Sequence, residues 1–384
     1  MRHLFTKTAA VFAIVLYANI SHAQLTMQNG IASIQDPILL GDGRPEDYTT
    51  STSINPRKLG KREPSATEGK LILRLNELMH QTRAKALALI DGSDVVWYGY
   101  RDDYLKYEHF VSMSVAKSIL SVATGVAICQ NKLTLDTKAM AFVSELKDKD
   151  LGQAQVKHLL TMTSGTWEGN PDSTIFSNEQ RLYLMSGAMN HMDVLTTDKV
   201  SSGVQKFFSP KRKPGEFFAY RSTDPLVLGI MLERATGIPY GKFIEKEILL
   251  PAGIENTAVS GRDTSGFPRA DGVLRMTLMD WIRVAIWIKE QRDSETCLGR
   301  YLKEATRKQV PTHVGSHYPQ RLHGYGYLFG VENEFAPDTY WAIGFAGQEI
   351  GWSTRNQKMV MSFANSDEHV VELEKIYAEW LNDR

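Results

Sequence analysis

Two cysteines, Cys129 and Cys297, are all that the 384 residues contain. That is too few for a scaffold stapled by disulfides, even in an oxidising compartment. They suffice for one bridge, which spacing alone does not decide, and Cys129, inside an apolar run, reads as a small buried hydrophobe. Excess charge is lacking too. With 44 basic and 44 acidic residues there is no electrostatic footprint for nucleic acid or an anionic membrane, and the cluster Lys211-Arg212-Lys213 reads as a solvated loop. Among ten histidines the strongest metal-like spacing is His313-x-x-x-His317. It sits beside Pro311 and Gly315 and reads as a loop coincidence, so neither a metal nor an organic cofactor is expected. There is no internal repeat and no low-complexity tract, and beyond residue 23 no run approaches the roughly 20 apolar residues of a spanning helix.

The longest apolar run stands at the start. Arg2, His3 and Lys7 precede Ala9 to Ile20, and Ser21-His22-Ala23 closes the run, the pattern of a secretory signal peptide over residues 1–23. Periplasmic or secreted localisation is therefore expected, with an uncleaved N-terminal anchor as the alternative. No cysteine follows to carry a lipid, so no stable membrane anchor is expected. The remainder is ample for one big domain or two closely joined ones.

Residues 24–66 are rich in Gly, Pro, Ser, Thr and charge, with Gly41-Asp42-Gly43 and Ile54-Asn55-Pro56 as turn signals. They read as an irregular arm that wraps a domain, and the domain itself is expected over 67–384. Leu71, Leu75, Leu78 and Met79 recur at helical spacing, and then Ala86 to Ile90 and Val95 to Tyr98 flank the turn Asp91-Gly92-Ser93-Asp94: helix, strand, tight turn, strand. Val156 to Leu160, Leu226 to Ala235 and Phe243 to Leu250 mark a mostly helical middle. Strand signals return at Gly324 to Gly330, Tyr340 to Ile343 and Lys358 to Ala364. Glu368 to Leu381 is an amphipathic helix with Val370, Leu373, Ile376, Tyr377 and Trp380 as its apolar side. Strands at both ends with helices between predict an α/β fold, its sheet split in sequence by a helical insertion over about 121–255.

Chemistry concentrates first at Ser114-Val115-Ala116-Lys117. Side chains three positions apart share a helix face, so the Lys117 amine stacks beside the Ser114 hydroxyl, and a serine needs such a base to become a nucleophile. A second S-x-x-K, Ser144 to Lys147, runs into Asp148, Lys149 and Asp150 and reads as a polar surface segment. Ser114 instead leads into the small and apolar run Ser118 to Ile128, which suits a buried helix.

Tyr220-Arg221-Ser222 follows the turn Pro214-Gly215 and precedes a helix beginning near Pro225. Taken singly, Tyr220 reads as a packed aromatic with a bonded hydroxyl. If its phenol meets Ser114 and Lys117, the nearby ammonium favours phenolate and hence a base. Gly344-Phe345-Ala346-Gly347-Gln348 lies between two apolar runs and is expected on a strand, where small residues let a substrate backbone approach closely. By itself it reads as a Gly-rich bulge. Beside Ser114, the backbone amides of Gln348 and Ser114 are expected to form an oxyanion hole.

Taken together, these segments resemble the serine β-lactamase and penicillin-binding-protein superfamily, and within it the class C branch that includes family VIII esterases and 6-aminohexanoate-dimer hydrolases. The resemblance spans about Leu71 to Leu381. It is carried by Ser112 to Ser118, Val156 to Gly165, Phe218 to Ser222, Asp271 to Thr277 and Gly344 to Gln348. It implies an antiparallel sheet flanked by N- and C-terminal helices with an inserted helical domain, Ser114 as nucleophile, Lys117 and Tyr220 sharing the acid and base roles, and His158 to Gly165 as a structural hallmark below the site.

Two departures bear on substrate. Lactamases usually carry Lys-Thr-Gly on the strand bordering the site, where this chain has Phe345-Ala346-Gly347 and no cation to greet a substrate carboxylate. Ser222 stands where they commonly have asparagine. The expected activity is hydrolysis of a small-molecule ester or amide through an acyl-enzyme, with Trp167, Glu168 and Tyr183 as pocket-lining candidates. The alternatives are a D-alanyl carboxypeptidase or β-lactamase, and a non-catalytic binding module with the same fold.

Overall fold

The computed structural model describes residues 47–165, 213–263, 266–313 and 318–383. The expected signal peptide, residues 24–46 of the arm, and Trp167, Glu168, Tyr183 and His317 lie outside the described residues.

Antiparallel pairing dominates the main sheet. Its nine strands are β2 (Gly60–Lys61), β3 (Ala84–Asp91), β4 (Asp94–Tyr100), β8 (Val310–Pro311), β9 (Leu322–Tyr325), β10 (Gly330–Asn333), β11 (Thr339–Gly344), β12 (Gln348–Ser353) and β13 (Lys358–Ala364), in the order β2-β4-β3-β13-β12-β11-β10-β9-β8. Only the β2–β4 pairing is parallel. A smaller sheet joins β1 (Tyr48–Thr49), β6 (Val259–Ser260), β7 (Leu274–Met276) and β5 (Phe110–Val111) in the order β1-β6-β7-β5. Strands from both ends of the sequence meet where β3 pairs with β13, so the expected α/β fold with a sheet split in sequence is the one observed.

Alternation along the strands assigns helices to the two faces. Tyr340 and Trp341 are neighbours on β11, and neighbours point to opposite sides. Tyr340 stacks on Trp352 at 5.1 Å, whose indole N–H donates to Ala285 O on the helix Leu278–Asp293 (α5 below). Trp341 meets Tyr377 edge-on at 5.6 Å, on the C-terminal helix Val370–Asn382 (α7). That helix packs beside the first helix, α1 (Ala66–Gln81). A single carboxylate ties the two: Glu68 reaches back to Ser65 N in the capping box of α1 and accepts 2.8 Å from Trp380 Nε1. The Arg62 guanidinium holds Glu68 far below the usual carboxylate range, at about 2.

Inside the opposite layer lies α2 (Val115–Cys129), buried from Val115 to Ala127. The remaining helices that matter here are α3 (Val156–Leu160), α4 (Thr223–Thr236), α5 and α6 (Cys297–Ala305). Tyr301 of α6 fills the space a side chain at Gly125 would need, and its hydroxyl lies 3.3 Å from Ser121 Oγ. Cys129 and Cys297 are joined as a disulfide. Cys129 is thus not the free buried hydrophobe expected: it ends α2 partly exposed, beside the start of α6.

Two further expectations change. Residues 47–66 are not wholly irregular, because β1 and β2 extend an edge of each sheet. The run Gly324 to Gly330 is not one strand. Tyr327 N donates to Ala305 O and Leu328 N to Leu160 O, so those amides turn away from the ladder and the run becomes the connection between β9 and β10.

Loss of the bridge releases a loop of sequence separation 168, so replacing both cysteines by serine is expected to cost about 2 to 5 kcal/mol in denaturant unfolding, with the same loss on reduction. Near the sheet's other end, Arg321 bonds both Glu349 and Glu374. Burial pushes both carboxyls up, since one guanidinium cannot neutralise two anions. A raised acid keeps its proton in the fold while the unfolded chain loses it, so this contribution is full below the ordinary carboxylate range and declines as pH rises above it, by up to about 1.4 kcal/mol per pH unit. Glu349→Gln should flatten that decline in thermal unfolding followed from pH 5 to 8.

Candidate active site

Ser114 sits where a strand hands over to a helix. Ser112 N donates 2.8 Å to Leu274 O and Leu274 N returns 3.1 Å to Ser112 Oγ, fastening the segment after β5 to β7. Met113 then takes a left-handed φ of 44°, and Ser114 starts α2 as its N-cap residue. One helical turn on, Lys117 is 2% exposed. Its Nζ donates 2.7 Å to Ser114 Oγ, 2.7 Å to the main-chain oxygen of Asp271 and, at a long 3.5 Å, to Ser222 Oγ. The helical spacing in the sequence is thus realised as a direct contact.

Tyr220 stands beside this pair. The Ser114 side chain acts on its phenol, opposing the effect of burial, and Lys117 Nζ lies 5.4 Å from the ring centroid. The loop that carries it is clamped by the segment 158–165: Ala219 N donates to Met162 O at 3.0 Å, Gly215 N to Thr163 O at 2.7 Å, and Ser164 Oγ to Asp224 at 2.6 Å. Ser222 caps α4 beside Lys117. The expected phenolate is overturned. Burial pushes the Tyr220 phenol up, the Asp271 carboxylate adds to the shift, and the Ser114 side chain only partly opposes it. Tyr220 is therefore a neutral phenol near neutral pH.

The glycine-rich segment divides differently from the sequence expectation. Phe345, Ala346 and Gly347 are not on a strand; they form the turn from β11 to β12, with left-handed φ at Ala346 (62°) and Gly347 (81°). A side chain at Gly347 would collide with His369 and Ser366. The Gln348 side chain is spent on its own turn, its Nε2 reaching Phe345 O, Ala346 O and Ala364 O at 2.8 to 2.9 Å. It is Gly344 that meets Ser114: a Cβ there would stand 2.6 Å from Ser112 O and 3.0 Å from Ser114 N. The backbone bordering Ser114 is thus Gly344–Phe345. Sequence could not separate the two glycines, because both sit between apolar runs. The strand residues before Gly344 are Ala342 and Ile343, so this border still lacks a cation, and Phe345 opens the turn 42% exposed.

Elsewhere the readings sort simply. Ser144 and Lys147 are exposed on a short 3-10 turn. His313 packs against Phe217, ring centroids 4.3 Å apart and tilted by 38°. Among the described residues no three His, Cys, Asp or Glu side chains are grouped to hold a metal ion. The Asp271 carbonyl was missed, since a main-chain acceptor leaves no trace in residue type.

Residues 72–381 match the model of the Beta-lactamase family. The chain belongs to that family. It is accordingly an enzyme of a serine hydrolase family. Over 112 residues it is 30% identical to penicillin-binding protein 4* of Bacillus subtilis, covering 29% of this chain and 22% of that protein. Over 238 residues it is 23% identical to the 6-aminohexanoate-dimer hydrolase of Paenarthrobacter ureafaciens, covering 59% of each. The matches thus span less than two thirds of these relatives. In fold it is similar to a Bacillus anthracis protein described as a 6-aminohexanoate-dimer hydrolase, with a TM-score of 0.70, 16% identity and coverage of 90% of this chain and 95% of that one.

Because Gly344 has no room for a side chain, Gly344→Ala must push the strand away from Ser114. A displacement of about 1 Å in a reacting constellation costs on the order of 100-fold in rate. That loss is expected in the rate at which Ser114 takes a fluorophosphonate label, while the thermal midpoint changes little.

Proposed function

We propose that the protein is an exported serine hydrolase that cleaves an ester or amide bond through an acyl-enzyme on Ser114. The observation that carries this is the 2.7 Å contact between Lys117 Nζ and Ser114 Oγ, with the Tyr220 ring centroid 5.4 Å from the same Nζ. Lys117 in its free-base form takes the hydroxyl proton as Oγ bonds to the carbonyl carbon. The neutral Tyr220 phenol donates to the departing alcohol or amine and regains a proton through Lys117; water then enters and the same groups run in reverse. The oxyanion is assigned to Ser114 N–H and the amide of the Gly344–Phe345 step, since that backbone borders Ser114. One such donor lowers the barrier by roughly 3 to 4 kcal/mol.

Substrate class follows from what borders this center. Ala342, Ile343 and Phe345 provide no cation for a carboxylate, so an uncharged ester or amide fits better than an antibiotic or a D-alanyl peptide. Export is supported by the apolar run at the start of the sequence and by the disulfide, which persists in oxidising compartments.

Fluorophosphonate labelling tests the center. Ser114 is expected to be modified in the folded protein, Ser114→Ala to take no label, and Lys117→Met to label at least about 100-fold more slowly. An unlabelled, folded wild type would count for a binding module. Short-chain nitrophenyl esters should turn over faster than a chromogenic cephalosporin, and the reverse order would sink the substrate assignment.

A further inference from the structure

Asp271 presents its backbone to the site and hides its side chain. The residue is fully buried, and neither carboxylate oxygen has a hydrogen-bond partner among the described residues. Its own carbonyl accepts the Lys117 ammonium at 2.7 Å. The segment holding it cannot drift, because Gly272 N bonds Arg269 O, Val273 is held at a left-handed φ of 58°, and Leu274 is bonded in both directions to Ser112.

An isolated carboxylate in such a place costs several kcal/mol unless a positive charge lies close by or it takes up a proton. Several charges on neighbouring elements have partners of their own. Asp224 of α4 has Ser164 and the field of Arg221; Glu245, in the helical passage over 240–252, has Tyr48, Ser51 and Lys242; Glu349 of β12 has Arg321. Arg275 lies 3.8 Å from Asp47, and Arg269, two residues before Asp271, is buried in the same turn. Burial pushes the phenols of Tyr220 and Tyr240 up, and the Asp271 charge adds to both shifts. The cation bonded to this residue is Lys117.

We propose that the buried Asp271 carboxylate is the counter-charge of Lys117, stabilising the positive charge that Lys117 gains when it takes the Ser114 proton. In that step the Oγ–H bond breaks, the Oγ–carbon bond forms, and the proton passes to Nζ. Asp271 touches neither substrate nor Ser114; it is a positioning residue that acts through Lys117, as the carboxylate behind the histidine does in a serine protease. The same charge raises the pH at which Lys117 becomes a free base. It therefore trades rate at low pH for a better-stabilised transition state at high pH.

This inference rests on the proposed function, and its test separates the two. Fluorophosphonate labelling of Ser114 in the full chain is measured across pH for wild type, Asp271→Asn and Asp271→Ser, all of which keep the carbonyl that Lys117 bonds. Removing the charge is expected to move the acidic limb about one pH unit lower and to cut the limiting rate at high pH by at least about tenfold. Tyr240→Phe, beside the same carboxylate, should leave the limb in place. A labelled wild type whose limb is unmoved in the folded Asp271 variants, or moves as far in Tyr240→Phe, would overturn the inference alone; an unlabelled wild type would end both readings. Should neither Asp271 variant fold, infrared spectra of aspartate-labelled wild type decide it, since a protonated buried acid at neutral pH is incompatible with a counter-charge.

Discussion

A lysine amine taken almost wholly out of water, and charged once it accepts a proton, is the constraint around which this molecule is built. Such a charge is tolerated only where fixed acceptors replace the lost solvent. For Lys117 they come from its own helix (Ser114), from the loop before α4 (Ser222) and from the turn after β6 (Asp271). These acceptors lie up to 154 residues from Lys117 in sequence, so the charge is stable only if three distant elements are held in register. That requirement accounts for the packing of α2. It is buried along nearly its whole length, tied to α3 through Leu328, which accepts from Ser118 Oγ and donates to Leu160, and bridged to α6 by the disulfide at its far end.

Backbone strain marks the same convergence. Of the seven non-glycine residues at positive φ among the described residues, five fall on its supports: Met113 before the nucleophile, Met162 below Tyr220, Val273 after Asp271, Leu328 against α2, and Ala346 in the turn beyond Gly344. Each such conformation costs of order 1 to 3 kcal/mol and survives only when its surroundings over-determine it. Here the surroundings do so with main-chain bonds, at Ser112–Leu274, Met162–Ala219 and Leu160–Leu328. Val273 is the sharpest case, since a β-branched side chain tolerates the left-handed region poorly.

Periodicity and residue chemistry made part of this legible in the sequence. Leu71, Leu75, Leu78 and Met79, the hairpin around Gly92, and the apolar face of the last helix all announce their elements, because each is a local pattern meeting a large core. Ser114 and Lys117 were legible for the same reason: helical spacing converts directly into contact. What escaped depends on neighbours distant in sequence. Cys129 looks like any small apolar residue until α6 brings Cys297 beside it. Tyr220 reads as a phenolate candidate while only Lys117 is considered, and as a neutral phenol once burial and the Asp271 charge are counted. Gly344 and Gly347 are interchangeable by type, and only the trajectory of the strand tells which one meets Ser114.

That trajectory also shows how the two sides of the reaction are held apart. The nucleophile side hangs on α2 and its buried charge. The side facing it is anchored from behind, where Gln348 gathers two carbonyls of its own turn and one of β13, Ser362 Oγ donates 3.0 Å to Gly347 O, and His369, kept neutral by burial, lies 2.5 Å from Ser362. These anchors bond β13 and the start of α7 and include none of the groups that hold Lys117. A change in the turn thus alters where a carbonyl is held without altering the proton affinity of the base. A change at the Lys117 acceptors does the converse. One fold can in this way keep the Ser114–Lys117 pair fixed while the exposed turn that begins at Phe345 varies, because the two fall on separately braced pieces of backbone.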